Sequence, residues 1–474
     1  MEIASITLAD VINMAISKNA IIVILVAVVV VVAGASAAIV LTNNSKDPKS
    51  PSLLPGAELK VLGNAEGDGD LDKSDVSELE KIIKAGGTVE EYPLADANND
   101  KVIDDNDVDF VKAIINWEEG DPQVPVWHVN FHDDGNGVMA MEMVQTMYPI
   151  KSAIATGSSN GLMMLQLMDI VDEIKGACYS SSSADATLFS TTYLDTSKCV
   201  FLGKKTGEIT YEDGKAGSSN VIKEQNVTAL ITDWNKTYIE NEADFEAGNV
   251  DVVRIAAAAV TPEYYTHTIN LLGFLFQKED RAEDLLDMYE ECYKMIDKYK
   301  SDGSLSAVAS SMAAFNAKNK YAYISAGGSD YTEIITSAGL KFGLENYNFG
   351  TTTSLKTDDY LEVYDTNKYD WDYIVHIRAN LNYKGSVSTA TLKEYTDAFG
   401  QYWKYTNGEH QYLVSGVIPV PLRVLYVESI FNDDLSASQV DELHAKFVKD
   451  FYINSELDIS GMQFFIDGTT LYAA

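Results

Sequence analysis

The sequence predicts an α/β body of two Rossmann-like lobes joined by a long helix, preceded by a small all-helical unit and an N-terminal transmembrane helix. Three observations predict it. Residues 20–41 form an uninterrupted apolar run, long enough to cross a bilayer as a helix. Two twelve-residue loops rich in side-chain oxygen follow, one starting at Asn64 and one at Asp96, and such a repeat marks a duplicated unit. From residue 126 onward, short apolar strands alternate with amphipathic helices, the pattern of a parallel sheet covered by helices.

At the N-terminus, residues 1–18 read as an amphipathic segment carrying Glu2 and Asp10. Ala35-Ser-Ala37 could serve as a cleavage site. The apolar run continues past it to Leu41, however, which favours a retained single-pass anchor, and no lipobox cysteine follows. Lys18 on one side and Lys46 and Lys49 on the other give no charge bias for orientation. Sequons at Asn43, Asn226 and Asn235, and loops suited to millimolar calcium, place the soluble domains on the extracellular side of the cell membrane.

A Ser-, Pro-, Asn- and Lys-rich linker occupies 43–59, and Gly120, Pro122 and Pro125 punctuate a second at 119–125. The predicted units are therefore an anchor at 1–42, a loop–helix unit at 60–118, a first lobe at 126–277, a joining helix at 278–302 and a second lobe at 303–474. A chain of 474 residues is too long for one core. Its net charge of −36 argues against nucleic acid or an anionic membrane surface as a partner, because like charges repel.

The loops fit Ca²⁺, a hard cation that takes six to eight oxygens from odd loop positions and position 12. The first offers Asn64, Glu66, Asp68, Asp72 and Asp75, with Asp70 at position 7. The second offers Asp96, Asn98, Asp100, Asp104 and Asp107, with the backbone carbonyl of Val102 at position 7. Leu71 and Ile103 fill position 8, and each loop runs into an apolar-periodic helix (Val76, Leu79, Ile82, Ile83; Val108, Phe110, Val111, Ile114, Ile115). A calcium-stabilised spacer would use the same residues.

The pair resembles a type I dockerin, an EF-hand-like module with Asp at position 12, over residues 60–118. That resemblance implies a cohesin-like partner chosen at loop positions 10 and 11. Here those are Lys73-Ser74 and Asp105-Asn106, which differ from one another and from the Ser-Thr common in cellulosomal dockerins.

In the body, strands are expected at 152–157, 227–232 and 250–255, and helices at 162–170, 261–276 and 278–299. The last is charged outside and apolar at Leu285, Leu286, Met288, Tyr289, Cys292, Met295 and Ile296. After Gly303 the pattern restarts with strands at 321–325 and 373–377 and helices at 331–338 and 435–451. Cys178, Cys199 and Cys292 permit one disulfide, with Cys178–Cys199 the favoured pair across a Ser-rich stretch.

The order of these segments resembles the substrate-binding proteins of iron–siderophore and cobalamin ABC importers, across residues 126–455. The marks are Tyr148-Pro-Ile-Lys-Ser-Ala-Ile-Ala-Thr-Gly-Ser-Ser-Asn-Gly-Leu, then Asp172-Glu-Ile-Lys-Gly, the strand at 227–232, Leu272-Gly-Phe-Leu-Phe with Ala282-Glu-Asp-Leu, and Glu333-Ile-Ile-Thr-Ser-Ala-Gly339. The resemblance implies a helix-hinged clamp that captures a metal chelate (ferric siderophore, haem or corrinoid) and delivers it to an ABC permease and its ATPase. It places Ser158, Ser159, Asn160, Trp234, Arg378 and Arg423 in the cleft and Glu333 at the permease contact. Arg pairs with anionic oxygens, and Trp offers a flat face to a corrin or catechol.

No Gly-x-Ser-x-Gly elbow, phosphate loop or zinc-protease helix is present, so no enzyme is predicted. His128, His132 and Asp133 could bind a metal, but their local strand-to-loop setting favours a structural role. The alternative function is a surface scaffold whose loop–helix unit recruits a cohesin-like partner.

Overall fold

The computed structural model describes residues 58–134, 139–178, 199–203, 209–211, 218–235, 239–310, 323–350, 354–356, 361–383, 387–452 and 455–473. The expected anchor at 20–41 and the Asn43 sequon lie outside them. Among the described residues no helix is long and apolar enough to cross a membrane.

The loop–helix unit contains α1 (Lys73–Ala85) and α2 (Asp105–Ile115). Each starts at an aspartate that caps its first turn, Asp72 or Asp104, and each closes a capping box with the aspartate three residues on. Leu79, Ile82, Val108 and Val111 bury the facing stripes of the two helices against Ala95 and Ala97.

The unit is not strung out on a spacer. Leu59, Val61 and Ile114 belong to the main core of the body, and Val61 bridges His128 antiparallel. His128 lies on β1 (Val124–Asp133), which pairs antiparallel with β2 (Met139–Tyr148). This hairpin begins where a linker was expected. Two of the bonds that fasten it to the edge of the first sheet use one side chain: Asn130 Nδ2 donates to Val252 O at 2.7 Å, and Arg254 N donates to Asn130 Oδ1 at 2.7 Å.

The first lobe is a parallel sheet of β3 (Ala153–Ala155), β4 (Ile174–Cys178), β5 (Val200–Gly203), β6 (Ala229–Asp233) and β7 (Asp251–Ile255), in the order β5-β4-β3-β6-β7. This is the doubly wound order, with its switch between β3 and β6. Strands β3 and β6 are buried along their whole length, as expected of a sheet covered on both faces. Helices α3 (Ser159–Leu167), α4 (Ser218–Gln225), α5 (Glu242–Ala247) and α6 (Pro262–Phe276) accompany it. Cys178 and Cys199 are not joined. In the parallel β4–β5 register Gly176 faces Val200 and Cys178 faces Gly203, so the two cysteines sit at opposite ends of the strand pair, out of disulfide reach.

The joining helix, α7 (Glu279–Tyr299), has 21 residues, about 31 Å at 1.5 Å per residue. Its expected apolar face is realised: Leu285, Leu286, Met288, Tyr289, Cys292 and Ile296 are buried, and Tyr289 stacks on Tyr265 of α6 at 4.9 Å. The second lobe is mixed rather than purely Rossmann-like. Parallel strands β8 (Ser306–Ser310), β12 (Tyr373–Arg378) and β13 (Gln411–Ser415) form its centre, with the short β10 (Lys341–Phe342) parallel to β8. β9 (Tyr323–Ser325), β11 (Ser354–Lys356) and β14 (Phe465–Asp467) add antiparallel pairings at its margins. Helices α8 (Asp330–Ser337), α9 (Thr389–Gly400), α10 (Val420–Glu428) and α11 (Ala437–Phe451) complete it.

One hydrophobic cluster runs through both lobes, from Leu162 and Met163 of α3 through α6 and α7 to Leu425 of α10 and Phe447 of α11. Arg281, near the start of α7, ties two helix ends together: Nε donates to Leu167 O of α3 at 2.7 Å and Nη1 to Asp450 O of α11 at 2.9 Å. A shared core and such a strut favour small lobe movements over wide opening.

Candidate functional site

In an open parallel sheet the ligand crevice lies at the carboxyl ends of the strands beside the switch point. Here that point is Gly157-Ser158 after β3 and Asp233-Trp234 at the end of β6. Asp233 is 5% exposed, and its Oδ2 accepts from Ser158 N at 2.6 Å. Burial raises the Asp233 carboxyl, opposed by the Ser158 bonds and the Arg254 charge. Gly157 has φ +132°, and a Cβ there would sit 2.9 Å from Asp233 Oδ2; the backbone approaches the carboxylate only because this residue is glycine. Ser158 Oγ in turn caps α3 by accepting from Gly161 N at 3.3 Å.

Asn160 then reaches across the lobe boundary. Its Oδ1 accepts from Arg423 Nη2 at 2.5 Å, and Arg423 also donates to Ile418 O through Nε at 2.8 Å and Nη2 at 2.6 Å. Arg423 is 4% exposed. Asp330, at the first turn of α8, lies in the same field. Burial pushes its carboxyl up to about 7, Glu333 and Asp233 add to that rise, and Arg423 opposes it. Ser158, Asn160 and Arg423 are thus gathered at the switch point. Ser159 enters this turn by its place at the start of α3.

The other expected cleft residues are placed differently. Arg378 is buried; Nη2 donates to Ser310 Oγ at 2.7 Å and the guanidinium lies 3.8 Å from the Tyr395 ring centre. Burial lowers it to about 10. Trp234 is half-buried and packs against the cluster of Phe131, Ala256 and Ala259. Glu333 is half-buried beside Val260 and Tyr264 of the first lobe. Sequence reasoning passed over Asp233 and Asp330 as site residues. Its available signal was an acid closing an apolar strand beside a small-residue turn, and an acid opening a helix.

The two twelve-residue loops form a second candidate site, built locally. In both, position 12 holds the loop closed: Asp75 Oδ1 accepts from Glu66 N at 3.1 Å and Oδ2 from Asp72 N at 2.8 Å, while Asp107 accepts from Asn98 N at 3.1 Å and Asp104 N at 2.8 Å. Position 1 turns inward, with Asn64 Oδ1 accepting from Gly67 N at 2.9 Å and Asp96 Oδ1 from Asp100 N at 3.0 Å. The carboxylate oxygens of Asp68, Asp70 and Asp75 lie within 4.8 Å of one another. Oxygens bound to one calcium at about 2.4 Å can be no more than about 4.8 Å apart, so this donor set fits the ion. Burial, with Asp68 and Asp72 nearby, pushes Asp75 up to about 7, and a cation would reverse that shift.

His128 and His132 do not form a metal site. His128 bonds Thr146 Oγ1 at 2.9 Å inside the protein and is lowered to about 4 by burial. His132 lies four strand residues away, about 13 Å at 3.3 Å per residue.

The sequence matches no protein-family model and no curated protein. Solved structures are similar to it. The TroA-like periplasmic binding protein FepB from Veillonella parvula is 14% identical over 71% of this chain and 99% of its own, with a TM-score of 0.50. The periplasmic haem-binding protein HutB of Vibrio cholerae is 9% identical over 58% and 98%, at 0.39. The siderophore periplasmic binding protein from the fuscachelin gene cluster of Thermobifida fusca is 11% identical over 63% and 97%, also at 0.39. The FepB likeness establishes the two-lobe binding-protein fold for this chain.

Proposed function

We propose that the chain is a membrane-tethered extracellular solute-binding protein that captures a metal chelate and hands it to an ABC permease. The observation that carries this reading is the polar bridge between lobes, Asn160 to Arg423, set at the β3/β6 switch point above a shared helical hinge. A guanidinium there suits the anionic oxygens of a ferric siderophore, a haem propionate or a corrinoid phosphate. The residues 20–41 segment is its anchor, and the twelve-residue loops hold Ca²⁺ through the ligands named above. Glu333 remains the second-lobe residue proposed to meet the permease.

The test uses the full chain in detergent, titrated separately with haem, a ferric catecholate and cyanocobalamin while tryptophan fluorescence is followed. Saturable quenching by one of them, weakened in Arg423→Lys, is the expected result. Flat titrations with all three would overturn the chelate reading.

A further inference from the structure

We propose that calcium at the first twelve-residue loop braces the solute-binding first lobe, so that its occupancy sets how firmly the β1–β2 hairpin and β7 are held. This rests on the calcium reading of that loop. Residues 59–62 are bonded on two sides. Towards the lobe, Val129 N donates to Lys60 O at 3.1 Å, Leu62 N donates to Trp127 O at 2.9 Å, and Val61 bridges His128. Towards the loop, Leu59 N donates to Asp68 O at 2.7 Å, and Asn64 Nδ2 donates to Leu59 O at 2.7 Å and Asp68 O at 2.8 Å. Asn64 and Asp68 are ligand positions 1 and 5. The residues that would grip the ion are therefore the residues that hold the segment paired with β1.

The connection continues inward. β1 is fastened to β7 by the two Asn130 bonds, and Arg254, the next β7 residue but one after Val252, donates through Nη1 to Asp233 O at 3.1 Å. Four steps thus join the loop to the backbone of Asp233 at the switch point. Leu59 and Val61 are fully buried in the common core, so the segment cannot loosen without exposing apolar surface. With the loop empty, Asp68, Asp70 and Asp75 crowd one another, and a bound divalent ion turns that repulsion into attraction. The second loop closes on itself in the same way, with Asp96, Asn98 and Asp107 accepting from donors within it.

Hydrogen exchange on the full chain in detergent, with Ca²⁺ or with a chelator, tests this. Amides of β1 and β7 are expected to exchange more slowly with calcium, by up to about 100-fold when its concentration is 100 times the dissociation constant. Asp68→Ala, and the milder Asp68→Asn, are expected to abolish that slowing. Calcium-dependent protection confined to residues 58–118, with β1 and β7 unchanged, would overturn the brace and leave the calcium site standing. Calorimetry showing no calcium binding at all would remove the site and the brace together.

Discussion

In the first twelve-residue loop, Glu66 and Asp75 meet across nine residues of chain; at the lobe boundary, Asn160 and Arg423 meet across 263. Both sites use carboxylates, amides and the open N-termini of helices. The loop is complete within one turn of chain and its backbone donors are already committed to Asp75 and Asp107. The cleft exists only once both lobes and the joining helix are packed. A change in a loop should therefore be felt locally, through the ion, whereas a change in the cleft should be felt by the whole fold.

The largest effect that sharpens this contrast is Arg423→Ala. It strands Asn160 Oδ1 and Ile418 O inside the protein, and we expect about 3 kcal/mol of lost stability in denaturant unfolding. A loss below about 1 kcal/mol would mean the bridge is incidental. Next is Asp107→Ala, which removes the acceptor for Asn98 N and Asp104 N. About 2 kcal/mol should go, together with part of the calcium-dependent rise in Tm. An unchanged calcium response would refute the ligand set of the second loop.

A third experiment concerns a buried carboxylate with no donors at all. Glu428 ends α10, is fully buried, and neither oxygen has a hydrogen-bond partner. Burial raises it to about 9. Because the folded state keeps this proton and the unfolded state releases it near pH 4.5, the group's contribution falls as pH rises from about 4.5 to 9, by at most about 1.4 kcal/mol per pH unit. Glu428→Gln should flatten that decline in unfolding free energy between pH 5 and 8; an identical slope in the variant would show the residue is ionised when folded. The smallest effect is Lys101→Gly. Lys101 sits at φ 76° in the second loop, and glycine should relieve about 0.5–1 kcal/mol there. Thermal unfolding without calcium would register it as a slightly higher Tm.

Legibility in the sequence follows the same division. The closure of the loops was readable because the aspartate at position 12 is also the third residue of a capped helix, so loop spacing and capping rule fall on one residue. The strands at β3, β6, β7 and β12 and the helix α7 were readable from periodicity, since their burial is decided by nearest neighbours. The hairpin was missed: β1 alternates His128 and Asn130 with apolar residues, and its polar side chains are inward because Thr146 and β7 satisfy them. Asp233 and Asp330 owe their roles to residues more than seventy positions away, which no local pattern reports. The antiparallel margins of the second lobe come from three-residue strands, too short to carry a period.

Asn130 bears on a different matter, the protein's behaviour in a crowd. A sheet edge offers a row of donors and acceptors to any passing strand. On β7 the Val252 carbonyl and the Arg254 amide are already occupied by a single side-chain amide, which mimics a peptide bond without continuing as one. The first sheet therefore stops growing at that side. Replacing Asn130 with leucine would reopen the edge, and the first sign should be self-association at high concentration.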